Sequence, residues 1–129
     1  MQIFRLSDLH PAPADSRTFT GAARVSRLAT DDERSSARVY RVAFDPGARL
    51  HWHTHSGPQW LFVLEGRCRV QVWGEPPLDL AAGDSVCIDR DEKHWHGAVP
   101  DAPGTHIAVN LGATTTWMEE VTEESYAGR

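Results

Sequence analysis

Turn signals punctuate the middle of this chain so often that only short strands fit between them. DPG at 45–47, SGP at 56–58, EG at 65–66, GEPP at 74–77, AAGD at 81–84 and PDAPG at 100–104 each read as a turn. The intervening runs are apolar or alternating: ARVYRVAF (37–44), QWLFVLEG (59–66), RCRVQVW (67–73), DSVCIDR (84–90) and THIAVNL (105–111). Runs of that kind, spaced by roughly 8–12 residues, predict an all-β sandwich or barrel.

The flanks carry weaker signals. Residues 1–36 form a segment with two prolines in HPAPADSRTFTG, a short run AARVSRLA, and the acidic, serine-containing DDERSS. They are expected to run extended, to end in a solvated loop and to pack on a barrel spanning 37–111. In 112–129, TTTWMEEVTEESY predicts a short C-terminal helix, with Thr116 and Glu119 at capping-box spacing and Trp117, Val121 and Tyr126 facing the barrel.

Composition narrows the partners. A length of 129 residues suits one domain, and 40% apolar residues suffice for a core. The net charge of −5, without a basic run, argues against nucleic acid. No apolar run is long enough to span a membrane, and the start MQIFRLSDLH lacks the regions of a signal peptide. A cytoplasmic protein is the expectation. Cys68 and Cys87, flanked by strand-like residues and outside any CxxC pair, are expected to be reduced packing residues.

Six of the seven histidines fall at 51, 53 and 55, at 94 and 96, and at 106. Alternate residues of an extended chain share a face, so His51, His53 and His55 point one way, as do His94 and His96. Two imidazoles at that spacing can reach one transition-metal ion, and Gln59 can add an oxygen from the next strand. A polar strand end that happens to be rich in histidine would read the same way.

The wider pattern decides between them. From Gly47 the chain runs to His53, His55, Gln59 and Gly66, and from Gly83 to Asp89 and His94. This spacing resembles the two signature motifs of the cupin superfamily, small antiparallel β-barrels of jelly-roll type. The resemblance implies a single jelly-roll barrel and a divalent metal held by His53, His55, Gln59 and His94. Two departures stand out: Gln59 replaces the usual acid, and Asp89-Arg90-Asp91 replaces the usual Pro-x-Gly, leaving the turn before His94 without its stiffening. Within the superfamily, HTHSGPQ, KHWHGA, THIAV and WMEEVTEESY are similar to the small bacterial cupins related to carboxymuconolactone-decarboxylase-associated proteins, a group that includes manganese-dependent hydroxynitrile lyases. That similarity implies His106 as a base with His96 nearby.

Three imidazoles and a carboxamide are all neutral, so a divalent ion among them would keep its full charge and act as a Lewis acid. Mixed N and O donors fit Mn or Fe(II), with Ni, Co or Zn also possible. His106, Ala108 and Asn110 share a strand face. If it is the inner face, an imidazole suited to proton transfer near neutral pH lies by the metal; otherwise His106 caps the strand after PDAPG. His96 is placed to orient a ligand, and His51 is expected at the surface, lining the barrel mouth being the other reading. Tyr40 and Val42 share a face that would wall a substrate pocket, with Asn110 beside them; Tyr40 as a plain core aromatic is the other reading. Trp52 and Trp60 have the opposite parity to the ligands, and such outward apolar groups want cover. A second subunit would give it, making a homodimer or homotetramer, although packing under the N-terminal segment would also serve for Trp52.

The expected function is a metal-dependent lyase or acid/base enzyme on a small oxygenated substrate, hydroxynitrile cleavage being its sharpest form. The alternatives are a non-haem iron dioxygenase and a non-catalytic cupin that binds a small ligand.

Overall fold

The computed structural model describes residues 1–29, 36–112 and 114–129. Their strands curl into two facing antiparallel sheets, and one long strand belongs to both. The first sheet runs β1 (Ala12–Pro13), β3 (Ala23–Ala29), β4 (Ala37–Phe44), β11 (Gly104–Leu111), the first half of β7 (Gln59–Val72), and β9 (Ser85–Ile88). In the second, β8 (Leu78–Ala81) pairs with the rest of β7, and β7 with β10 (His94–Ala98). Two short strands continue from β10: β5 (Arg49–Leu50), which meets β2 (Phe19–Thr20), and β6 (His53–His55), which meets β12 (Thr115–Trp117).

The glycine at 66 is not a turn between two strands, as the EG signal predicts. It is a bend inside one strand of 14 residues. Gly66 has φ +66°, and a Cβ there would stand 2.0 Å from the carbonyl oxygen of Pro103. A residue without a side chain lets β7 turn from one sheet into the other while the neighbouring chain crosses close over it. At the start of the same strand, the alternation in Gln59–Val63 puts Leu61 and Val63 inside and Trp60 and Phe62 outside.

Apolar side chains from both sheets fill the space between them. Phe44, Val42, Leu50, Ala48, Ala23 and Ala98 form one cluster, and Leu61, Val70, Ile88 and Ala108 another. The DDERSS loop falls largely on residues 31–35, outside the described residues.

The C-terminal helix is present but shorter and later than the sequence suggests. It spans Glu123–Ala127, and its N-cap is Thr122, whose hydroxyl accepts from the Ser125 amide at 3.1 Å; the Thr116–Glu119 capping box does not form. Thr115–Trp117 is instead a strand, because β6 offers it a free edge. Between strand and helix the chain crosses the outside of the second sheet. Val121 and Tyr126 are buried there with Trp52 and Trp95. Trp52 is thus covered by the C-terminal segment, not by the N-terminal one or a second subunit. Tyr126 donates to the Ala98 carbonyl at 2.5 Å, and its ring lies 4.3 Å from the Arg49 guanidinium. Arg49 in turn donates to the Val121 carbonyl at 2.9 Å.

Candidate metal centre

Strands β6 and β10 lie side by side with His53 directly opposite His94. Two histidines at alternate positions on each strand therefore project into one end of the barrel. His53, His94 and His96 have ligand nitrogens all within 4.8 Å of one another. The His55 ring lies 4.9 Å from that of His53 and 5.3 Å from that of His94. Gln59 opens β7 from the facing sheet, and its Oε1 is 3.0 Å from His94 Nε2. The four residues expected as ligands converge, and His96 joins them.

Hydrogen bonds to backbone carbonyls set the tautomers. His53 Nδ1 lies 2.7 Å from the His51 carbonyl oxygen, and His94 Nδ1 lies 2.7 Å from that of Glu92. A carbonyl only accepts, so each Nδ1 carries the proton and each Nε2 presents a lone pair to the site. Gln59 is held likewise: its amide donates to Asn110 Oδ1 at 2.7 Å, which aims its oxygen at His94. His94 Nε2 and Gln59 Oε1 are then two acceptors facing each other. Such a contact is repulsive unless a cation lies between them, and about 3 Å is the spacing of neighbouring ligand atoms on an octahedrally bound ion. The Nε2 atoms of His53, His55 and His96 are buried and also lack a hydrogen-bond partner among the described residues. A buried polar atom without a partner costs about 1–3 kcal/mol, and a shared metal ion would remove that cost at several atoms together. The residues fit the ion their chemistry implies.

Burial keeps these imidazoles neutral, the form that binds metal. His53 is pushed well below the ordinary histidine range by desolvation and then by the neighbouring His94. His94 is pushed down to about 4 by desolvation. His96 is lowered by desolvation and then by His106, and desolvation pushes His106 down to about 4.

A cavity of about 230 Å³ opens beside the histidines. Tyr40, Val42 and Asn110 line it together with Ala108. Its other walls include Phe19, Val25, Leu50, Thr115 and Trp117, with Arg38 as its formally charged side chain. Trp117 also packs 4.7 Å from the His53 ring. These walls are not evident from the sequence: Phe19 sits in a proline-containing stretch read only as extended chain packing on the barrel, and Thr115 and Trp117 in a stretch that reads as helix.

His106 is inward-facing but does not line the cavity. It lies behind His96, with its Nε2 2.9 Å from His96 Nδ1 and its ring edge-on to Phe44 at 5.1 Å. His96 lines the cavity and stands between the two. His51 is not at the surface. It is 5% exposed, its Nε2 lies 4.0 Å from Glu120 beneath the C-terminal segment, and its carbonyl orients His53.

The turn before His94 keeps its shape without proline or glycine. Asp91 adopts φ +61°, the left-handed conformation in which aspartate is among the better tolerated residues. Its amide donates to the His55 carbonyl at 2.8 Å, and the Glu92 carboxylate accepts from the Asp89 amide at 3.1 Å. The replacement segment therefore ties the two histidine strands together.

Comparison with known proteins agrees with this architecture. The cupin domain family matches residues 40–110. An (R)-mandelonitrile lyase from Granulicella tundricola is 36% identical over 129 residues, covering 98% of each chain. The crystal structure of a cupin-like protein from Thermotoga maritima superposes with a TM-score of 0.88 at 38% identity, covering 98% of this chain and 95% of that one. An acetylacetone dioxygenase from Acinetobacter johnsonii shares the fold, with a TM-score of 0.73 at 15% identity over 97% of this chain and 80% of its own. Among the described residues no helix is long and apolar enough to cross a membrane.

Proposed function

The chain belongs to the cupin family, and from that premise we propose that it is a metal-dependent lyase that splits small α-hydroxynitriles into a carbonyl compound and cyanide. The observation that carries this reading is the convergence of neutral, acceptor-bearing ligands on one point at the edge of an apolar cavity, with a buried imidazole pair beside them. The likeness to a mandelonitrile lyase over nearly the whole chain supports it. A divalent metal held by His53, His55, Gln59 and His94, Mn or Fe(II) by donor type, would supply Lewis acidity toward the substrate's oxygen.

The rest of the chemistry falls to the chain. Val42, Leu50, Phe19 and Trp117 enclose the substrate's apolar group and exclude water from it. His96, which lines the cavity and whose buried Nε2 is free of any partner among the described residues, takes the hydroxyl proton. The electron pair of that O–H bond becomes the new C=O bond, and the C–C bond to the nitrile breaks with its pair leaving on cyanide. His96 then returns the proton to cyanide, so the products are aldehyde or ketone and hydrogen cyanide. His106 touches His96 rather than the substrate, and it positions that ring through the 2.9 Å contact. In this arrangement His96 takes the proton-moving role that the resemblance gives to His106.

The test is cleavage of (R)-mandelonitrile by the metal-loaded protein, followed as benzaldehyde release, with the metal content of each variant measured in parallel. We expect turnover in the wild type, a loss of about 100-fold or more in His96→Ala with metal retained, and a smaller loss in His106→Ala. No cleavage above the metal-only background in the loaded wild type would overturn the reading. Loss of metal from His96→Ala would make His96 a ligand and contradict its role in proton transfer.

A further inference from the structure

The cavity beside the histidines carries a charge that cleavage of a neutral hydroxynitrile does not use. The chain as a whole is acidic, with 18 Asp and Glu against 13 Lys and Arg. Yet among the described residues no carboxylate lines the cavity, whereas Arg38 does. Alternation on β4 puts Arg38, Tyr40 and Val42 on one face, and all three line the cavity. A second guanidinium, that of Arg27 on the neighbouring strand β3, lies 5.8 Å from the centroid of the Tyr40 ring.

Strand register fixes where Arg38 stands relative to the ligands. Arg38 lies opposite Asn110, and Asn110 opposite Gln59, so the three form one row across β4, β11 and β7. Residues in such a row share a face. Neighbouring strands are about 4.8 Å apart, which puts the Arg38 backbone roughly 10 Å from that of Gln59. Gln59, its oxygen 3.0 Å from His94 Nε2, marks the end of the row where the substrate's hydroxyl would sit. Arg38 marks the other end, and Val42, Ala108, Phe19 and Trp117 supply apolar walls beside them.

A half-buried guanidinium at an apolar wall gives up hydration, and a carboxylate there restores hydrogen bonds and charge balance together. Its planar fork has five N–H donors, enough to hold a ligand carboxylate through two of them while others serve the protein. The four ligands are neutral, so a loaded site would add to the positive potential that draws an anion in.

We propose that Arg38 is a specificity-determining residue that selects substrates bearing a carboxylate at the end remote from the reacting hydroxyl, with a short apolar body such as an aromatic ring between the two. The selection of an anion follows from Arg38 and the cavity; only the reaction rests on the lyase reading.

Two pairs of probes on the metal-loaded protein test it. Mandelonitrile and 4-carboxymandelonitrile are compared for cleavage; their aldehyde products, benzaldehyde and 4-formylbenzoate, are compared for binding by calorimetry. In the wild type the carboxylated member of each pair is expected to be preferred at least about tenfold, in kcat/KM and in Kd. Arg38→Met should remove that preference, with the loss in cleavage appearing mainly in KM because Arg38 is remote from the reacting atoms. Arg38→Lys should keep part of it, since a point charge remains without the bidentate fork. Each preference is a ratio within one variant, so a partial loss of folded or metal-loaded protein cancels. No preference in the wild type would overturn the assignment, and so would a preference that survives Arg38→Met, which would place the carboxylate on the metal instead. An Arg38-dependent preference in binding, without cleavage of either hydroxynitrile, would uphold the anion site and overturn the lyase reading.

Discussion

At the scale of single residues, the candidate site is organised by atoms that look misplaced until their partners are counted. His94 Nε2 faces an oxygen that cannot donate to it, and the Nε2 atoms of His53, His55 and His96 are buried with nothing to bond among the described residues. The converging residues were legible because alternation puts the histidines of each cluster on one strand face and the glycine spacings around Gln59 and His94 resemble the cupin motifs. The tautomers were not, because they depend on the carbonyls of His51 and Glu92, whose directions no residue pattern encodes. Asp91 makes a similar point. Sequence shows that glycine is missing there, whereas only the backbone shows that the left-handed conformation is kept. Asp91→Gly is therefore expected to change stability by less than about 0.5 kcal/mol, strain relief offsetting added freedom in the unfolded chain, while Asp91→Val costs about 2 kcal/mol. Chemical denaturation measures both. Gly66→Ala is a harsher case: its Cβ meets the Pro103 carbonyl oxygen at 2.0 Å. A loss of at least about 3 kcal/mol is expected, since backbone must move to make room.

At the scale of elements, sequence reading succeeded where a strand buries one face and failed where tertiary contacts choose between conformations. The runs 37–44 and 105–111 appear as β4 and β11 with nearly the predicted bounds. The split at Gly66 failed because a glycine bend and a turn carry the same local signal, and only the partners β11 and β10 reveal one strand. The C-terminal stretch failed for a related reason. The Thr116–Glu119 spacing suggests a helix start there, but Thr115–Trp117 is a β-favouring run and the open edge of β6 offers it hydrogen bonds. Beyond Trp117 the chain forms a clasp, anchored by Tyr126 in the cluster with Trp52 and Trp95. Tyr126→Phe removes the donor to Ala98 and is expected to cost about 1–2 kcal/mol. Tyr126→Ala also empties the cluster and should cost about 3–5 kcal/mol. Because the same segment carries Trp117 onto His53, thermal melting and metal retention are expected to decline together in the second variant but not the first.

At the scale of the whole molecule, the site is a cost that the fold carries and that a bound metal would relieve. The imidazoles of His94 and His106 are lowered to about 4 by burial, against an ordinary value near 6.5. The folded metal-free protein refuses protons that the unfolded chain accepts. Its stability is complete above about pH 6.5 and falls as the pH drops toward 4, by on the order of 3 kcal/mol for each such histidine. Denaturation of the metal-free protein at pH 7.5 and pH 4.5 should show that decline, and a flat profile would contradict the buried, neutral state of the pair.

Whether the converging histidines hold a metal is tested most directly by the metal content of the purified protein. Elemental analysis of the wild type beside His53→Ala and His94→Ala should find about one equivalent of a divalent transition metal, present in the wild type and lost in both variants while the fold persists. A wild type that holds no metal, even after reconstitution with Mn, Fe(II), Ni, Co and Zn in turn, would contradict a metal site.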